Sequence, residues 1–318
     1  MADASVSKLL EGLPTNWGRW GQDDEIGGLN FLTKDEVARG LSAIRTQKPF
    51  ALSVVIGGPK GDPVWPGRSG AVKLMTQDKS SYVSGKLQPL PGGLEYADDY
   101  VTMFLQGSTQ FDGLGHTWYD GKLYNGFDAS TTMSGLEKAS VLPLAEHTAT
   151  GHAVLLDVPR HRGKARLAKA EQITLQDLLA CAKAQGITIQ KRDILLIRTG
   201  WLSVFYEEGA ATFYDPPFVE PGLVYSRELV EWFHEMEIPL LGTDTIANEI
   251  TVDPNNGIVL PLHSALMRNL GVVFNEILWL EELAKECASD GRYSFFYTAA
   301  PLKVFRGTGA PVNPIVIK

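Results

Sequence analysis

Four short apolar runs place the strongest constraint on the fold of this 318-residue chain. Each run is rich in aliphatic residues and is ended by a proline, a glycine or polar residues, which is typical of strands buried inside a sheet. The runs are 152–159 (HAVLLDVP), 193–200 (DILLIRTG), 239–245 (PLLGTDT) and 272–276 (VVFNE). They predict an α/β protein in which strands and helices are mixed without a regular βαβ repeat.

Helix signals lie between these strands. A T-x-x-E capping box begins at Thr33 and precedes apolar residues at helical spacing. Thr174 precedes a second such stretch, which Gly186 ends, and Ser226 precedes a third. The pattern predicts three amphipathic helices, each with a side-chain cap at its N-terminus.

Composition narrows the classes of function. The chain has 44% apolar and 21% charged residues and a net charge of -8, which disfavours nucleic acid as a partner because phosphate binding needs a basic surface. No apolar run reaches the roughly 20 residues of a membrane span, and residues 1–14 lack the apolar centre of a secretory signal. We therefore expect a cytoplasmic protein without a membrane partner. No break in composition resembles a linker, so we predict one domain over 1–318 with an extended N-terminal segment of about 1–50.

A long segment rich in glycine and proline covers 57–93. Loops of this length in a compact domain are usually functional or disordered. Trp65 lies within it. This residue belongs either to a lid over a site or to a contact that pins the loop to the body of the protein.

The segment 106–116 (QGSTQFDGLGH) concentrates polar side chains among glycines. Gln110 and Asp112 are two residues apart, so in an extended backbone they point to the same side, and Gln106 can join them across a Gly-Ser turn. Oxygen ligands of this kind suit hard divalent ions. The alternative is a glycine-rich turn whose polar side chains bind only the backbone.

The same segment resembles the His-x-Gly-Thr-His-x-Asp-x-x-x-His signature of the putative cyclase family, which includes bacterial kynurenine formamidase and isatin hydrolase. Thr109, Asp112 and His116 match the signature, whereas Gln106 and Gln110 replace its first two histidines. This Gln-x-x-x-Gln-Phe-Asp form resembles a branch of the family close to the trans-dienelactone hydrolases.

Further blocks in the family's order extend the resemblance over roughly 16–282, from NWGRWGQDDEIGGLNFLT to LPLHSALMRNLGVVFNEI. The resemblance implies a swivelling β/β/α fold, with a mixed sheet flanked by helices. It also implies a homodimer or homotetramer. Trp17 and Trp20 in the N-terminal segment suit either a subunit contact or packing on their own domain.

The resemblance also assigns roles to particular residues. It implies a divalent metal ion, manganese or zinc, and a general acid/base, His116. The implied metal ligands are Gln106, Gln110, Asp112, His263 and Glu276. Four aromatic residues near these segments are expected either to line a pocket for a small-molecule substrate or to pack in the core: Trp65, Trp118, Tyr119 and Trp201.

These features predict a metal-dependent hydrolase that opens a cyclic or aryl lactone, ester or amide. The ion would polarise the carbonyl and activate water, and His116 would move the proton. A serine nucleophile is not expected, because the sequence has no G-x-S-x-G motif. Two alternatives remain open: a metal-free member that binds a small ligand without turnover, and a lyase or dehydratase at the same site.

Overall fold

A nine-stranded mixed sheet forms the centre of the computed structural model, which describes residues 5–318. The strands in chain order are β1 (Pro49–Ala51), β2 (Val72–Gln77), β3 (Asp98–Thr102), β4 (Gln110–Asp112), β5 (Ala149–Asp157), β6 (Gln172–Ile173), β7 (Ile194–Arg198), β8 (Gly222–Leu223), β9 (Leu240–Thr243), β10 (Val273–Glu276), β11 (Ser294–Ala299), β12 (Gly309–Pro311) and β13 (Ile315–Ile317). Their order across the large sheet is β1-β13-β11-β5-β7-β9-β10-β4-β12.

The four apolar runs of the sequence form the parallel centre of this sheet, β5, β7, β9 and β10. Every residue of β7, β9 and β10 is buried, which is the expected state of strands covered by helices on both faces. Antiparallel strands continue the sheet on either side of this centre. The predicted mixed sheet is therefore confirmed.

Helices flank the sheet, and the predicted caps are present. Thr33 and Thr174 each form a complete capping box, and the Ser226 side chain accepts a hydrogen bond from the Leu229 amide. The α-helices are α1 (Val6–Leu9), α2 (Lys34–Ala43), α3 (Lys79–Val83), α4 (Val141–His147), α5 (Val158–His161), α6 (Leu175–Ala184), α7 (Leu202–Glu207), α8 (Ala210–Phe213), α9 (Arg227–Glu235) and α10 (Glu281–Asp290). Within residues 5–318, none of the helices has the length and apolar character that crossing a bilayer requires.

A π-helix covers His263–Asn269. All seven of its residues are buried. Residues 5–318 also contain three 3-10 helices: Gly27–Phe31, Tyr124–Gly126 and Ala129–Thr132. π-Helical turns occur frequently at functional sites, so the wider turn makes His263 a candidate functional residue.

The segment 57–93 is more ordered than its composition predicts. Strand β2 and helix α3 lie within it, and β2 pairs with β3 as a separate two-stranded sheet. Strand β3, which precedes the polar segment 106–116, therefore lies outside the main sheet. Its outer position follows from its exposed residues: all five residues of β3 and five of the six in β2 are exposed.

The N-terminal segment packs against its own domain. The Trp17 indole donates to the Arg268 carbonyl at 3.0 Å, and the Trp20 ring contacts Phe31 edge-on, with ring centroids 4.9 Å apart. These contacts agree with the second of the two roles predicted for the tryptophans, packing on their own domain. The predicted homo-oligomer stays a prediction.

Candidate active site

Strand β4 places Gln110 and Asp112 in the middle of paired backbone. It lies between β10 and β12, with Gln110 opposite Glu276 and Asp112 opposite Gly309. All three residues of β4 are buried. The predicted extended backbone over 110–112 is confirmed, and its alternation directs the two polar side chains to one face while Phe111 points to the other.

Gln110 and Glu276 hold each other in place across the β4–β10 pair. The Gln110 Nε2 donates to Glu276 Oε2 at 2.8 Å. This bond fixes the amide so that its nitrogen faces the carboxylate, and Gln110 Oε1 is left buried without a hydrogen-bond partner. The carbonyl oxygen of Gln110 is therefore oriented as a free acceptor.

Asp112, His263 and Glu276 form one buried cluster. Their candidate ligand atoms all lie within 4.8 Å of one another, and His263 Nε2 is 3.5 Å from Glu276 Oε1. Asp112 Oδ1 and Glu276 Oε1 are buried without hydrogen-bond partners, as is Gln110 Oε1. Buried polar atoms are rarely left unpaired, because each costs about 1–3 kcal/mol. The carboxylate oxygens of Asp112 and Glu276 beside one imidazole fit a site that holds a divalent cation, and the Gln110 amide adjoins it through Glu276.

Glu249 orients His263, a role that no sequence motif indicates. Its carboxylate accepts from the backbone amides of Leu262 and His263, each at 2.7 Å, and lies 2.7 Å from His263 Nδ1. The other ring nitrogen, Nε2, then faces the cluster. A carboxylate behind a histidine is the usual arrangement at metal sites. Glu249 belongs to no recognisable motif and lies outside the named helices and strands, 14 residues before His263, so only the folded chain reveals the contact.

The cluster carries an excess of negative charge. Burial raises the pKa of Glu276 to about 7, and the neighbouring Asp112 charge adds to the shift. Burial alone would lower the pKa of His263, but the adjacent carboxylates of Glu249 and Glu276 outweigh that effect and raise the pKa to about 10. One imidazolium cannot neutralise three buried carboxylates, so protons or a cation must supply the balance.

Gln106 and His116 lie together at the edge of this cluster. Gln106 Nε2 donates to Thr308 Oγ1 at 2.9 Å and lies 3.4 Å from His116 Nδ1. Burial lowers the pKa of His116, and the charges of His263 and Arg68 act in the same direction while Asp112 opposes them. The His116 imidazole is therefore neutral at neutral pH and able to accept a proton. The observed contacts of the Gln106 side chain are with Thr308 and His116, and its role as a metal ligand stays a prediction.

Two of the four predicted aromatic residues lie among other aromatic side chains. Trp65 lines a cavity of about 480 Å³, where its ring meets Phe218 edge-on with centroids 5.9 Å apart. Trp201 is 6% exposed and packs against Phe213 in a small apolar cluster, although its indole N–H has no partner. Trp65 therefore lies at a cavity wall and Trp201 in an apolar cluster, and a substrate-binding role for either residue stays a prediction.

Trp118 and Tyr119 have different surroundings. Trp118 is 47% exposed. Tyr119 stacks on the Arg268 guanidinium at 3.9 Å and its hydroxyl lies 3.2 Å from Asn269 Oδ1, in a separate cavity that Trp17 also lines. None of these contacts leads to the carboxylate cluster, so a substrate-binding role for either residue stays a prediction.

A family model described as putative cyclase matches residues 50–250. The chain belongs to the putative cyclase family. A solved structure described as a novel cyclase is 36% identical to this family member, with a TM-score of 0.86 over 96% of this chain and 100% of that chain. The predicted membership of the family is thus confirmed.

Two more distant structures share the fold of this cyclase-family chain. Isatin hydrolase A from Labrenzia aggregata, bound to benzyl benzoate, is 18% identical, with a TM-score of 0.58 over 91% of this chain and 98% of that chain. A predicted metal-dependent hydrolase from Bacillus stearothermophilus is 16% identical, with a TM-score of 0.53 over 85% of this chain and 97% of that chain. No curated protein sequence matches the chain significantly. The predicted cyclase-family fold is confirmed, and the proximity to trans-dienelactone hydrolases stays a prediction.

Proposed function

We propose that this member of the putative cyclase family is a metal-dependent hydrolase that opens a lactone, ester or amide bond in a cyclic or aryl small molecule. The observation that carries the proposal is the buried cluster of Asp112, His263 and Glu276, whose candidate ligand atoms lie within 4.8 Å of one another, with the Gln110 amide bound to Glu276. The fold shared with an isatin hydrolase and with a predicted metal-dependent hydrolase supports the same class of reaction.

The donor set indicates which ion the site would hold. Gln110, Asp112 and Glu276 offer oxygen, and His263 offers the only imidazole among the four, while Gln106 remains a further candidate ligand. Oxygen-rich ligand sets favour manganese over softer ions, and replacement of an imidazole ligand by an amide oxygen lowers the expected affinity for zinc. When bound, such an ion polarises a substrate carbonyl and lowers the pKa of a water molecule.

The residues of the chain supply the rest of the chemistry. Glu249 holds His263 in one orientation, and Glu276 does the same for the Gln110 amide. His116, kept neutral by burial, accepts a proton from the attacking water and returns it to the leaving group. Gln106 lies between His116 and Thr308 and positions the imidazole from one side.

The test combines metal analysis with turnover. Protein purified without chelator is assayed by elemental analysis and with a panel of aryl lactones, esters and cyclic amides that includes isatin. We expect bound divalent metal, hydrolysis that chelation abolishes, and recovery on addition of manganese.

His116→Ala should lower kcat by roughly 100-fold or more while the metal content stays unchanged, because the imidazole moves a proton in the transition state. The matched control is His147→Ala, which alters an exposed histidine. The proposal would be refuted if the protein is purified without metal and still hydrolyses none of the compounds after manganese is added. Full activity in His116→Ala would also refute it.

A further inference from the structure

The cavity that Trp65 lines has aromatic walls and a volume of about 480 Å³. The Tyr214 and Phe218 rings lie 5.5 Å apart, and the Phe205 and Tyr214 rings meet edge-on at 6.3 Å. These rings pack against one another and present flat apolar walls, which favour an aromatic ring that stacks on them or meets them edge-on. The volume falls within the ordinary range for a small-molecule pocket.

The loop that forms one wall is held in place before any ligand binds. The Tyr214 hydroxyl accepts from the Val64 amide at 2.8 Å and donates to the Val64 carbonyl at 2.7 Å. The Asp62 carboxylate accepts from the amides of Gly57 and Ala71 at 2.8 and 2.7 Å. The negative charge of Asp62 is therefore engaged by the backbone of the loop.

Arg68 lines the same cavity and connects it to the candidate active site. It donates to the Gln106 carbonyl at 3.1 Å, and the Gln106 side chain lies 3.4 Å from the His116 ring. Over residues 5–318, no carboxylate lies within 4.0 Å of the Arg68 guanidinium, which retains N–H groups for a ligand. Lys60, the other cation of the cavity, binds the Tyr206 carbonyl.

We propose that the cavity binds an aromatic ring of the substrate and that Arg68 binds a carboxylate carried by that ring, so that the substrate is an aryl carboxylate before its lactone, ester or amide bond is opened. The proposal rests on the proposed function, because it names the substrate class of the same site. A guanidinium with free N–H groups and no ion pair matches the geometry of a carboxylate. Charge-assisted bonds of this kind contribute about 1.5–3 kcal/mol, which corresponds to roughly 10–100-fold in affinity.

Phenylacetate and phenylacetamide test the assignment, since they share ring and shape and differ in charge. Their dissociation constants are measured by ligand-observed NMR on the metal-loaded protein and again after chelation. We expect the wild type to prefer the acid by tenfold or more in both states. Arg68→Gln should abolish the preference and Arg68→Lys should keep part of it, whereas Trp65→Ala should weaken both ligands alike.

Arg45→Gln is the matched control, because it removes an exposed guanidinium that bonds only to nearby backbone carbonyls. It should keep the full preference. Equal affinity for the two ligands in the wild type, an unchanged preference in Arg68→Gln, or a loss in Arg45→Gln would each overturn the assignment. So would a preference that chelation removes, since the metal and not Arg68 would then bind the acid.

The outcome is independent of the hydrolase proposal. An Arg68-dependent preference without any turnover would refute the hydrolase and keep the ligand class. Metal-dependent hydrolysis without a preference for the acid would keep the hydrolase and refute the aryl carboxylate.

Discussion

Replacement of Glu249 by glutamine tests how the histidine of the cluster is held. The native carboxylate accepts three hydrogen bonds, from the amides of Leu262 and His263 and from the His263 ring, all at 2.7 Å. In Glu249→Gln one oxygen becomes an NH2 group, which cannot accept, so at least one of the three donors loses its partner. The His263 ring then loses the charge of Glu249, and its position is held by a neutral amide or not at all.

Glu249→Gln should change metal affinity more than it changes the stability of the fold. Loss of a carboxylate behind a metal-binding histidine typically weakens metal affinity 10–100-fold, which is about 1.4–2.7 kcal/mol. An unpaired buried amide costs about 1–3 kcal/mol of stability, but removal of a buried charge offsets part of that cost. We therefore expect a manganese dissociation constant at least tenfold higher and a small change in the thermal midpoint of the metal-free protein.

Calorimetric titration of chelated, dialysed protein with manganese measures the effect. Glu237→Gln is the control, because Glu237 is also a buried glutamate but pairs with Arg192 and Arg19 instead. It should leave the manganese affinity unchanged. If Glu249→Gln binds manganese within threefold of the wild type, Glu249 does not prepare His263 for a cation, and the reasoning is wrong.

Three further predictions concern the site and its surroundings. Gln110→His should bind zinc at least tenfold more tightly by calorimetry, because imidazole suits zinc better than an amide oxygen; weaker zinc binding would contradict the placement of this side chain among the ligands. Burial raises the pKa of Asp244 from 3.8 to about 6 against the opposing charge of Arg198, so the folded state binds this proton more tightly than the unfolded chain. The stability that this proton contributes is complete below pH 3.8 and is lost as the pH rises through 6. Urea unfolding between pH 4 and 7 should show this loss in the wild type and not in Asp244→Asn. An identical pH dependence of the two proteins would refute the prediction. Tyr214→Phe should destabilise the cavity loop by about 1–3 kcal/mol and accelerate amide exchange at Val64, whereas Tyr100→Phe, at a 51% exposed tyrosine, should change neither.

Local patterns in the sequence identify much of the fold because they act over short distances. The apolar runs that become β5, β7, β9 and β10 are buried on both faces, so their continuous hydrophobicity is visible without any knowledge of neighbours. The caps at Thr33, Thr174 and Ser226 are equally local. By contrast, β3 has a strand pattern, but no local feature shows that it pairs with β2 outside the main sheet.

The candidate site also contains some features that local sequence patterns predict and others that they do not. The two-residue spacing of Gln110 and Asp112 predicts their shared face, since alternation is a property of the strand itself. The positions of His263 and Glu276 were inferred from the family resemblance. The contact of Glu249 with His263 depends on an irregular segment and a π-helix that meet only in the folded chain, and the link from Arg68 to Gln106 spans 38 residues. Neither contact has a periodic or motif signature that sequence reasoning can detect.

The cluster and the cavity are built on different kinds of backbone. Gln110, Asp112 and Glu276 belong to paired strands, so a shift of one residue in β4 would turn Phe111 toward the cluster and both polar side chains away from it. Trp65 and Arg68 belong to a loop that side-chain bonds hold to the body. Insertions or substitutions in that loop can alter which compounds fit while the reactive groups keep their positions. Descendants of such a chain can therefore diversify in ligand preference through one surface segment, with the reaction itself inherited unchanged.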